Sequence, residues 1–279
     1  NVAANVSVIT RDDIRNTPAR DLPGMLKGSA GVDVRALYGS LGIDSTVDIR
    51  GFGETAGSNT LILLDGQRLN PIDMGSVSWS AIPLDSVQRI EIMRGAGTVL
   101  YGDKATGGVV NIITDKSGAP RAGATVGIGS YDTQTVDLNG AFGNDIGYAN
   151  AFARYAHTGG WRENSQAEQA ALSGRGGLYI GKGEAFIDYS VYNEHYGLPG
   201  YLLSAGYQNN PKTSTSPNDS QRSDGYRLRP GVALPITDTL RFEAEVSYDR
   251  QNQHANYASF GSQADRTRDN WSVTPRLRW

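Results

Sequence analysis

The chain has 279 residues and a nearly balanced charge, with 26 basic against 29 acidic side chains and a net charge of -3. This balance lacks the basic character of a nucleic-acid-binding protein, and the absence of cysteine excludes disulfides, thiol chemistry and cysteine-based zinc sites. No run of 18 apolar residues is present, which excludes a transmembrane helix but not membrane strands, in which polar and apolar residues alternate.

Two short helices are predicted near the N-terminus. Thr10, followed three residues later by Asp13, predicts a capping box at the start of the first helix. Thr17-Pro18 predicts the start of the second helix, and Gly28 is expected to end it in a left-handed conformation. The apolar stripe of this second helix consists of Leu22, Met25 and Leu26.

The next segments predict short strands. Residues 32–34 and 47–49 alternate between apolar and polar side chains, whereas residues 61–64 are continuously apolar and are expected to be buried on both faces. Asp65-Gly66 is a hairpin turn signal. Together with the helices, these strands predict a compact α+β domain with a small mixed sheet.

Residues 83–114 contain two further predicted strands, one around Ile90 and Ile92 and a more apolar one at 109–113. Between them lies a glycine-rich crossing, which suits positive φ angles and close backbone packing at Gly95, Gly97, Gly102, Gly107 and Gly108. A phosphate loop is disfavoured because Asp103 stands where that motif needs lysine.

The order of residues in 83–114 closely resembles the plug domain of TonB-dependent outer-membrane transporters. Two earlier segments, 47–53 (Val-Asp-Ile-Arg-Gly-Phe-Gly) and 61–70 (Leu-Ile-Leu-Leu-Asp-Gly-Gln-Arg-Leu-Asn), resemble the other signature segments of the same plug. The resemblance implies a plug domain over residues 1–117. It also implies that Arg50 and Arg94 pair with two barrel glutamates that lock the plug in place, and these glutamates are expected on later strands outside this chain.

After Ser117 the sequence alternates between polar and apolar residues in segments of membrane-strand length. Residues 118–279 are therefore predicted to form the N-terminal part of an antiparallel transmembrane β-barrel, about eight strands of a presumed 22. The predicted strands are 120–130, 133–143, 147–157, 172–181, 184–194, 225–235, 239–249 and 269–279. Because a closed eight-stranded barrel cannot enclose a plug, we expect a curved open sheet whose first and last strands do not pair.

The connections between these strands alternate in length, and the first outer loop, near Ser130 to Asp132, is the exception. Brief ones are predicted at Asn144, Lys182 and Thr237, and long ones at 158–171, 195–224 and 250–268. Outer-membrane barrels have short periplasmic turns and long outer loops, so this pattern predicts contact with outer-membrane lipid in a Gram-negative bacterium.

No paired carboxylates, activated nucleophile or metal-spaced cluster is recognisable, so neither catalysis nor a cofactor or metal site is predicted. His157, His195 and His254 could bind haem or a transition metal, but their spacing across separate loops favours solvated polar groups. Ligand-binding candidates are the outer-loop residues His195, Tyr196, Tyr201, Tyr207 and Trp161, because aromatic side chains supply flat, rigid contact area.

The resemblance implies an importer of a scarce nutrient chelate, coupled to TonB through a TonB box that is expected upstream of these residues. A ferric siderophore is the first candidate cargo, followed by cobalamin, haem or another metal complex. The alternative from a different class is a plugged surface receptor or adhesin that does not transport.

Overall fold

The computed structural model describes residues 5–37, 41–71, 73, 75–95, 97 and 101–279. The chain divides into two compact units, Asn1–Asp115 and Lys116–Trp279. No helix in the described residues is long and apolar enough to cross a membrane.

The strands of the first unit are β1 (Asn5–Thr10), β2 (Val32–Ala36), β3 (Ser45–Ile49), β4 (Thr60–Leu64), β5 (Gln67–Arg68), β6 (Val87–Arg94) and β7 (Gly108–Thr114). Five of them form a mixed sheet with the order β1-β6-β7-β4-β5. Strands β4 and β7 run parallel, and the other neighbours run antiparallel. A separate antiparallel pair is formed by β2 and β3. The predicted α+β fold with a small mixed sheet is confirmed.

The apolar residues of β4 and β6 account for the core of this unit. Ile90 and Ile92 are fully buried on one face of β6. In β4, Ile62 packs into one hydrophobic cluster while Leu61 and Leu63 pack into another, so the strand is covered on both faces, as its continuous apolar run predicts. The turn after β4 is also confirmed, because Asp65 and Gly66 both adopt positive φ between the paired residues on either side.

The helices confirm one predicted start and correct another. Helix α1 (Arg11–Asn16) begins at the Thr10 capping box. Helix α2 (Leu22–Lys27) begins at Asp21, whose carboxylate accepts a 2.7 Å hydrogen bond from the Gly24 amide, so the predicted start at Thr17-Pro18 is wrong. The Thr17 hydroxyl instead accepts from Ala19, two residues on, which closes a local turn that does not cap a helix.

The end of α2 differs from the prediction as well. Gly28 is the C-cap but has φ -73°, an ordinary right-handed conformation. The chain reverses three residues later at Gly31, which has φ +71° and directly precedes β2. The left-handed conformation is therefore found at Gly31, which leads into β2, and not at Gly28, which caps the helix.

The strands of the second unit are β8 (Arg121–Gly129), β9 (Thr133–Gly143), β10 (Gly147–Thr158), β11 (Ala167–Ile180), β12 (Gly183–Gly197), β13 (Ser220–Pro235), β14 (Arg241–Tyr257) and β15 (Ser262–Arg278). They form an antiparallel sheet in which each strand pairs with its neighbours in sequence. Among the described residues β8 and β15 are the two edges and do not pair with each other, which confirms the predicted open sheet. A short helix, α3 (Ser204–Asn209), lies between β12 and β13.

Several strands continue well past the predicted ends. Strands β14 and β15 are each 17 residues long, so the predicted long connection at 250–268 is wrong and only 258–261 joins them. The reason is that backbone pairing does not require apolar side chains, and polar cross-strand pairs such as Asn252 with Thr267 extend the ladder. The other two long connections shrink for the same reason, to 159–166 and 198–219.

The two faces of this sheet differ in chemistry. Tyr248 pairs with Trp271, and Val246 with Val273, on a face where apolar side chains are exposed, Trp271 by 77%. The opposite face carries buried charged residues, including Arg229 and Glu245. The alternation predicted for the last strand is confirmed, and the sheet has one exposed apolar face and one buried polar face.

Candidate functional site

The two connections that follow β10 and β12 are tied together by one arginine. From the shorter connection, 159–166, Arg162 donates hydrogen bonds to three carbonyls of the longer one: Nη1 to Gly200 (2.7 Å), Nε to Thr213 (2.9 Å) and Nη2 to Pro199 (3.1 Å). Burial lowers the pKa of the Arg162 guanidinium, and the acidic neighbour Glu163 opposes this effect. The planar fork of arginine suits this task because it aims several donors in fixed directions.

The next two residues add further bonds to the same segment. Glu163 donates its amide to the Lys212 carbonyl at 2.8 Å, and its carboxylate accepts the Ser214 amide at 3.1 Å. Asn164, at φ +55°, directs its side-chain amide at three carbonyls, those of Leu198, Ser216 and Asp219. We call Arg162, Glu163 and Asn164 the clasp, because together they hold both ends of the 198–219 connection.

Three of the predicted ligand residues lie on these clasped connections. Trp161, Tyr201 and Tyr207 are all exposed, Tyr201 by 81%. Trp161 directly precedes Arg162, and Tyr201 directly follows the Gly200 carbonyl that Arg162 binds. The clasp therefore brings the backbone beside Trp161 close to the backbone beside Tyr201, and the exposed surface of the two connections carries three aromatic side chains.

The other two predicted ligand residues do not join this surface. His195 and Tyr196 are consecutive in β12, so their side chains lie on opposite faces of the sheet. Tyr196 is only 2% exposed, which leaves it little surface for a ligand. His195 is exposed on the face that carries Val191 and Ile187.

The remaining histidines also lie within strands. His157 is in β10, with Nε2 3.6 Å from the Asp132 carboxylate, and His254 is in β14, with Nδ1 2.6 Å from Oδ1 of Asp265. No group of three or more histidine, aspartate or glutamate side chains in the described part of the chain is arranged to hold a metal ion.

A continuous charged network crosses five strands on the polar face. Asp188 in β12 accepts hydrogen bonds from Arg175 in β11 (2.5 and 2.8 Å) and from Arg229 in β13 (2.8 Å). Glu245 in β14 continues the network, since it lies 3.7 Å from Arg229 and 3.4 Å from Arg276 in β15. Arg175 also stacks over the Phe186 ring at 3.9 Å. Such a network fixes the relative positions of the strands.

Arg50, the first of the two predicted lock arginines, sits in a strained turn of the first unit. It has φ +77°, a conformation that L-residues rarely adopt, and it is followed by Gly51 and Gly53, also at positive φ. The buried carboxylate of Asp48 accepts hydrogen bonds from the amides of Phe52 (2.9 Å) and Gly53 (2.7 Å), which holds the turn. Strain maintained in this way is common at functional positions.

Arg94, the second predicted lock arginine, lies close to Arg50. Its guanidinium donates from Nε to the Ala30 carbonyl at 2.8 Å and from Nη1 to the Ser7 hydroxyl at 2.9 Å. A Cβ atom placed on Gly95 would lie 3.6 Å from Nη2 of Arg50, so the Arg50 guanidinium reaches the backbone directly after Arg94. The structure thus brings the two arginines to one part of this unit.

Two glycines of the glycine-rich crossing allow the close backbone packing that the sequence predicts there. A Cβ on Gly107 would lie 2.7 Å from the Ile49 carbonyl, and one on Gly108 would lie 2.5 Å from the Met93 carbonyl. Ile49 directly precedes Arg50, and Met93 directly precedes Arg94. The start of β7 can therefore pack against the ends of β3 and β6 only because Gly107 and Gly108 have no side chains.

Sequence reasoning did not identify Asp48 or the clasp. The position of Asp48 two residues before the Arg50-Gly51 turn is a usable signal, because aspartate often caps turn amides. Arg162 and Asn164 carry no such signal, since their acceptors are carbonyls 34 or more residues away in sequence.

Comparison with known proteins relates the first unit to a protein family and the whole chain to a known fold. Residues 1–109 match the TonB-dependent receptor plug domain. The chain is 42% identical over 137 residues to the vitamin B12 transporter BtuB of Vibrio cholerae, an alignment that covers 48% of this chain and 22% of that transporter.

Solved structures show the same fold over nearly the whole chain. The unliganded ferric citrate transporter FecA superposes with a TM-score of 0.81 at 22% identity, covering 99% of this chain and 44% of that one. The ferric yersiniabactin uptake receptor FyuA of Yersinia pestis has a TM-score of 0.80 at 16% identity, covering 98% and 45%. Residues 1–109 are therefore a TonB-dependent receptor plug domain, and the open sheet of antiparallel strands that follows has the fold of the corresponding strands in these solved proteins.

Proposed function

We propose that the protein imports a metal chelate across the outer membrane, with TonB as the partner that supplies the driving force. The observation that carries this proposal is the clasped pair of connections after β10 and β12, which presents Trp161, Tyr201 and Tyr207 on a fastened backbone. Aromatic residues on loops that a rigid scaffold holds in place are suited to bind a ligand.

Two kinds of cargo compete. The resemblance of the sequence to the family makes a ferric siderophore the first candidate. The 42% identity to a vitamin B12 transporter favours cobalamin instead. The solved siderophore and ferric citrate receptors are below 25% identity and support the fold without selecting a cargo.

Uptake in a host that lacks its own receptors tests the proposal. Cells that express the full-length protein should accumulate labelled cyanocobalamin or a labelled ferric siderophore, and the same cells without TonB should not. Accumulation of one label and not the other identifies the cargo. Binding of a chelate at the cell surface without accumulation would contradict import and favour the plugged surface receptor or adhesin.

Deletion of residues 201–218 tests the ligand surface. The deletion lies within the 198–219 connection, so the ladder between β12 and β13 remains intact. We expect chelate binding and uptake to be lost while the protein still folds in the membrane. The matched control is Tyr196→Phe, because Tyr196 is buried and we propose no ligand contact for it. Unchanged uptake after the deletion would remove this connection from the binding site.

We further propose that Arg50 and Arg94 act together to hold the plug, through carboxylate partners outside it. Arg50→Gly separates this role from folding. Glycine accepts φ +77° without strain, so the variant should stabilise the plug by about 1 kcal/mol while it removes the guanidinium. The measurement is permeability of cells to a large antibiotic, which should rise. A variant that is both more stable and no more permeable would rule out this role for Arg50.

A further inference from the structure

A buried aspartate joins the connection between β14 and β15 to the clasp. Asp219 is the last residue of the 198–219 connection and is only 3% exposed. Its carbonyl accepts hydrogen bonds from the Asn164 side chain at 2.8 Å and from the Leu198 amide at 2.9 Å. Its carboxylate accepts the Ser259 amide at 2.8 Å. One residue therefore links the connections that follow β10, β12 and β14.

The backbone and the side chain of Asp219 make different links. The backbone carbonyl binds the clasp, whereas the side chain makes one hydrogen bond in the described part of the chain, to the Ser259 amide. A buried carboxylate is costly unless it is hydrogen-bonded, and the bond to Ser259 meets this need. Replacement of the side chain would therefore disconnect Ser259 and leave in place the carbonyl that the clasp binds.

The amide that Asp219 binds belongs to the short turn that joins β14 to β15. This turn covers residues 258–261 and lies between the paired residues Tyr257 and Ser262. Gly261 reverses the chain at φ +62°, a conformation that glycine adopts without strain. The strand ladder thus holds the turn at both ends, and Asp219 holds it in the middle.

Phe260 lies on this turn and is 79% exposed. Single exposed apolar side chains are common on protein surfaces and indicate nothing by themselves. Phe260 differs because its neighbour Ser259 is bonded to Asp219, whose carbonyl the clasp binds. The Cα atom of Phe260 therefore lies within about 4 Å of the Cα atom of an anchored residue.

Two of the exposed aromatic residues on the clasped connections are close to the same anchor. Asn164 and Leu198, which both bind the Asp219 carbonyl, are also bonded to each other at 3.2 Å. Trp161 lies three residues from the first of them, and Tyr201 three residues from the second. Each distance is at most about 11 Å, since consecutive Cα atoms are about 3.8 Å apart. Both residues therefore belong to the same small region of backbone as the 258–261 turn.

We propose that Phe260 contacts the bound chelate together with Trp161 and Tyr201, and that Asp219 is the residue that positions Phe260. Phenylalanine offers a flat apolar surface and no hydrogen-bonding group. The part of the chelate that lies against the 258–261 turn is therefore an apolar group, such as a ring face or an alkyl arm. This role rests on the proposed chelate-binding function, to which it adds a further aromatic residue.

Binding of two chelates, cyanocobalamin and ferrichrome, to the full-length receptor in a non-ionic detergent tests the contact. Phe260→Ala should bind the chelate that the wild type binds about tenfold more weakly, because truncation of an aromatic contact residue removes apolar contact area. Phe260→Tyr keeps the ring and should bind within about twofold of the wild type. The matched control is Phe142→Ala, since Phe142 is also exposed, by 64%, but lies in β9 opposite Ala149 and outside these connections.

Variants of Asp219 test the positioning role. Without any chelate, the Ser259 amide should exchange its hydrogen at least about tenfold faster in Asp219→Ala, because its bond to a carboxylate is lost. Asp219→Asn keeps an oxygen that accepts this amide and should restore both slow exchange and chelate affinity. The double variant Asp219→Ala/Phe260→Ala should bind no more weakly than Phe260→Ala, because two residues that act through one contact are not additive.

The outcomes separate failure of this role from failure of the proposed function. A wild-type receptor that binds neither chelate would contradict the proposed function and this role with it. A wild-type receptor that binds a chelate no more tightly than Phe260→Ala, or an equal loss in Phe142→Ala, would overturn the contact alone. Unchanged exchange at Ser259 in Asp219→Ala, or additive losses in the double variant, would overturn the positioning role of Asp219.

Discussion

Arg229 lies directly opposite Asp188 in the ladder between β12 and β13 and donates a 2.8 Å hydrogen bond from Nε to the Asp188 carboxylate. Arg175 donates two bonds to the same carboxylate from the strand on the other side. One acidic side chain therefore connects three consecutive strands on the buried polar face, and its removal would take from two buried guanidinium groups the carboxylate that they share.

The first prediction concerns this carboxylate. Asp188→Asn should destabilise the second unit by up to about 3–5 kcal/mol, because removal of one partner from a buried ion pair is strongly destabilising. The two arginines keep only longer contacts, 3.9 Å from Arg175 to Glu184 and 3.7 Å from Arg229 to Glu245. Denaturant unfolding of the receptor in lipid vesicles measures the change. Asp238→Asn is the control, since the Lys182–Asp238 pair is almost fully exposed and we expect no measurable effect. Equal stability of the two variants would contradict a structural role for the network.

The second prediction concerns the clasp. Arg162→Lys keeps the charge but loses the planar fork that binds three carbonyls. We expect the backbone amide of Thr215, which donates to the Pro199 carbonyl, to exchange its hydrogen at least about tenfold faster, because each lost hydrogen bond contributes around 1 kcal/mol.

Hydrogen exchange followed by mass spectrometry makes this measurement and includes its own control. Amides in the ladder between β13 and β14 should keep their protection in the Arg162→Lys variant, because the side-chain hydrogen bonds of Arg162 all go to the 198–219 connection. Uniform loss of protection would indicate general destabilisation, and unchanged exchange at Thr215 would show that Arg162 does not order the connection.

The third prediction concerns close packing in the plug. Gly108→Ala places a Cβ 2.5 Å from the Met93 carbonyl, a backbone atom that cannot move without shifting β6. We expect a loss of about 1–3 kcal/mol or more in the free energy of unfolding. Gly57→Ala is the matched control, because a Cβ there meets nothing within 4 Å and the change should stay within about 0.5 kcal/mol. Thermal unfolding of both variants tests the difference.

The fourth prediction concerns the pH response of the first helix. The hydroxyl and backbone amide of Thr10 donate hydrogen bonds to Asp13 and hold the pKa of that carboxyl below its ordinary value of 3.8. A lowered carboxyl pKa stabilises the folded state above the ordinary pKa, and this contribution is lost as the pH falls through the lowered value. Thr10→Ala should raise the Asp13 pKa toward 3.8.

Titration of the carbon-13 resonance of the Asp13 carboxyl measures this shift. Thr10→Ser is the control, because it keeps a hydroxyl that donates to Asp13 and should keep the pKa low. A low pKa in the alanine variant would mean that the backbone amide alone accounts for the shift.

The features that sequence reasoning predicted correctly depend on neighbouring residues. The Thr10 capping box, the Asp65-Gly66 turn and the apolar strand at 61–64 are each specified within a few positions. The membrane strands can be predicted for the same reason, because polar and apolar residues alternate along the sequence with a period of two. The wrong start of α2 at Thr17 shows the limit, because two local caps competed and only the folded chain selects Asp21.

The class of fold, the signature segments of the plug and the alternating faces of the barrel strands can be predicted from the sequence alone, because they depend on local preferences and periodicity. Which distant residues meet depends on the folded chain. Arg162 reaches Gly200, Asp188 joins two arginines, and His195 lies between Glu168 and Arg222 because strand register and turn length accumulate from one strand to the next. A change of one residue in any turn would move every later side chain to the other face, so no local pattern can specify these contacts.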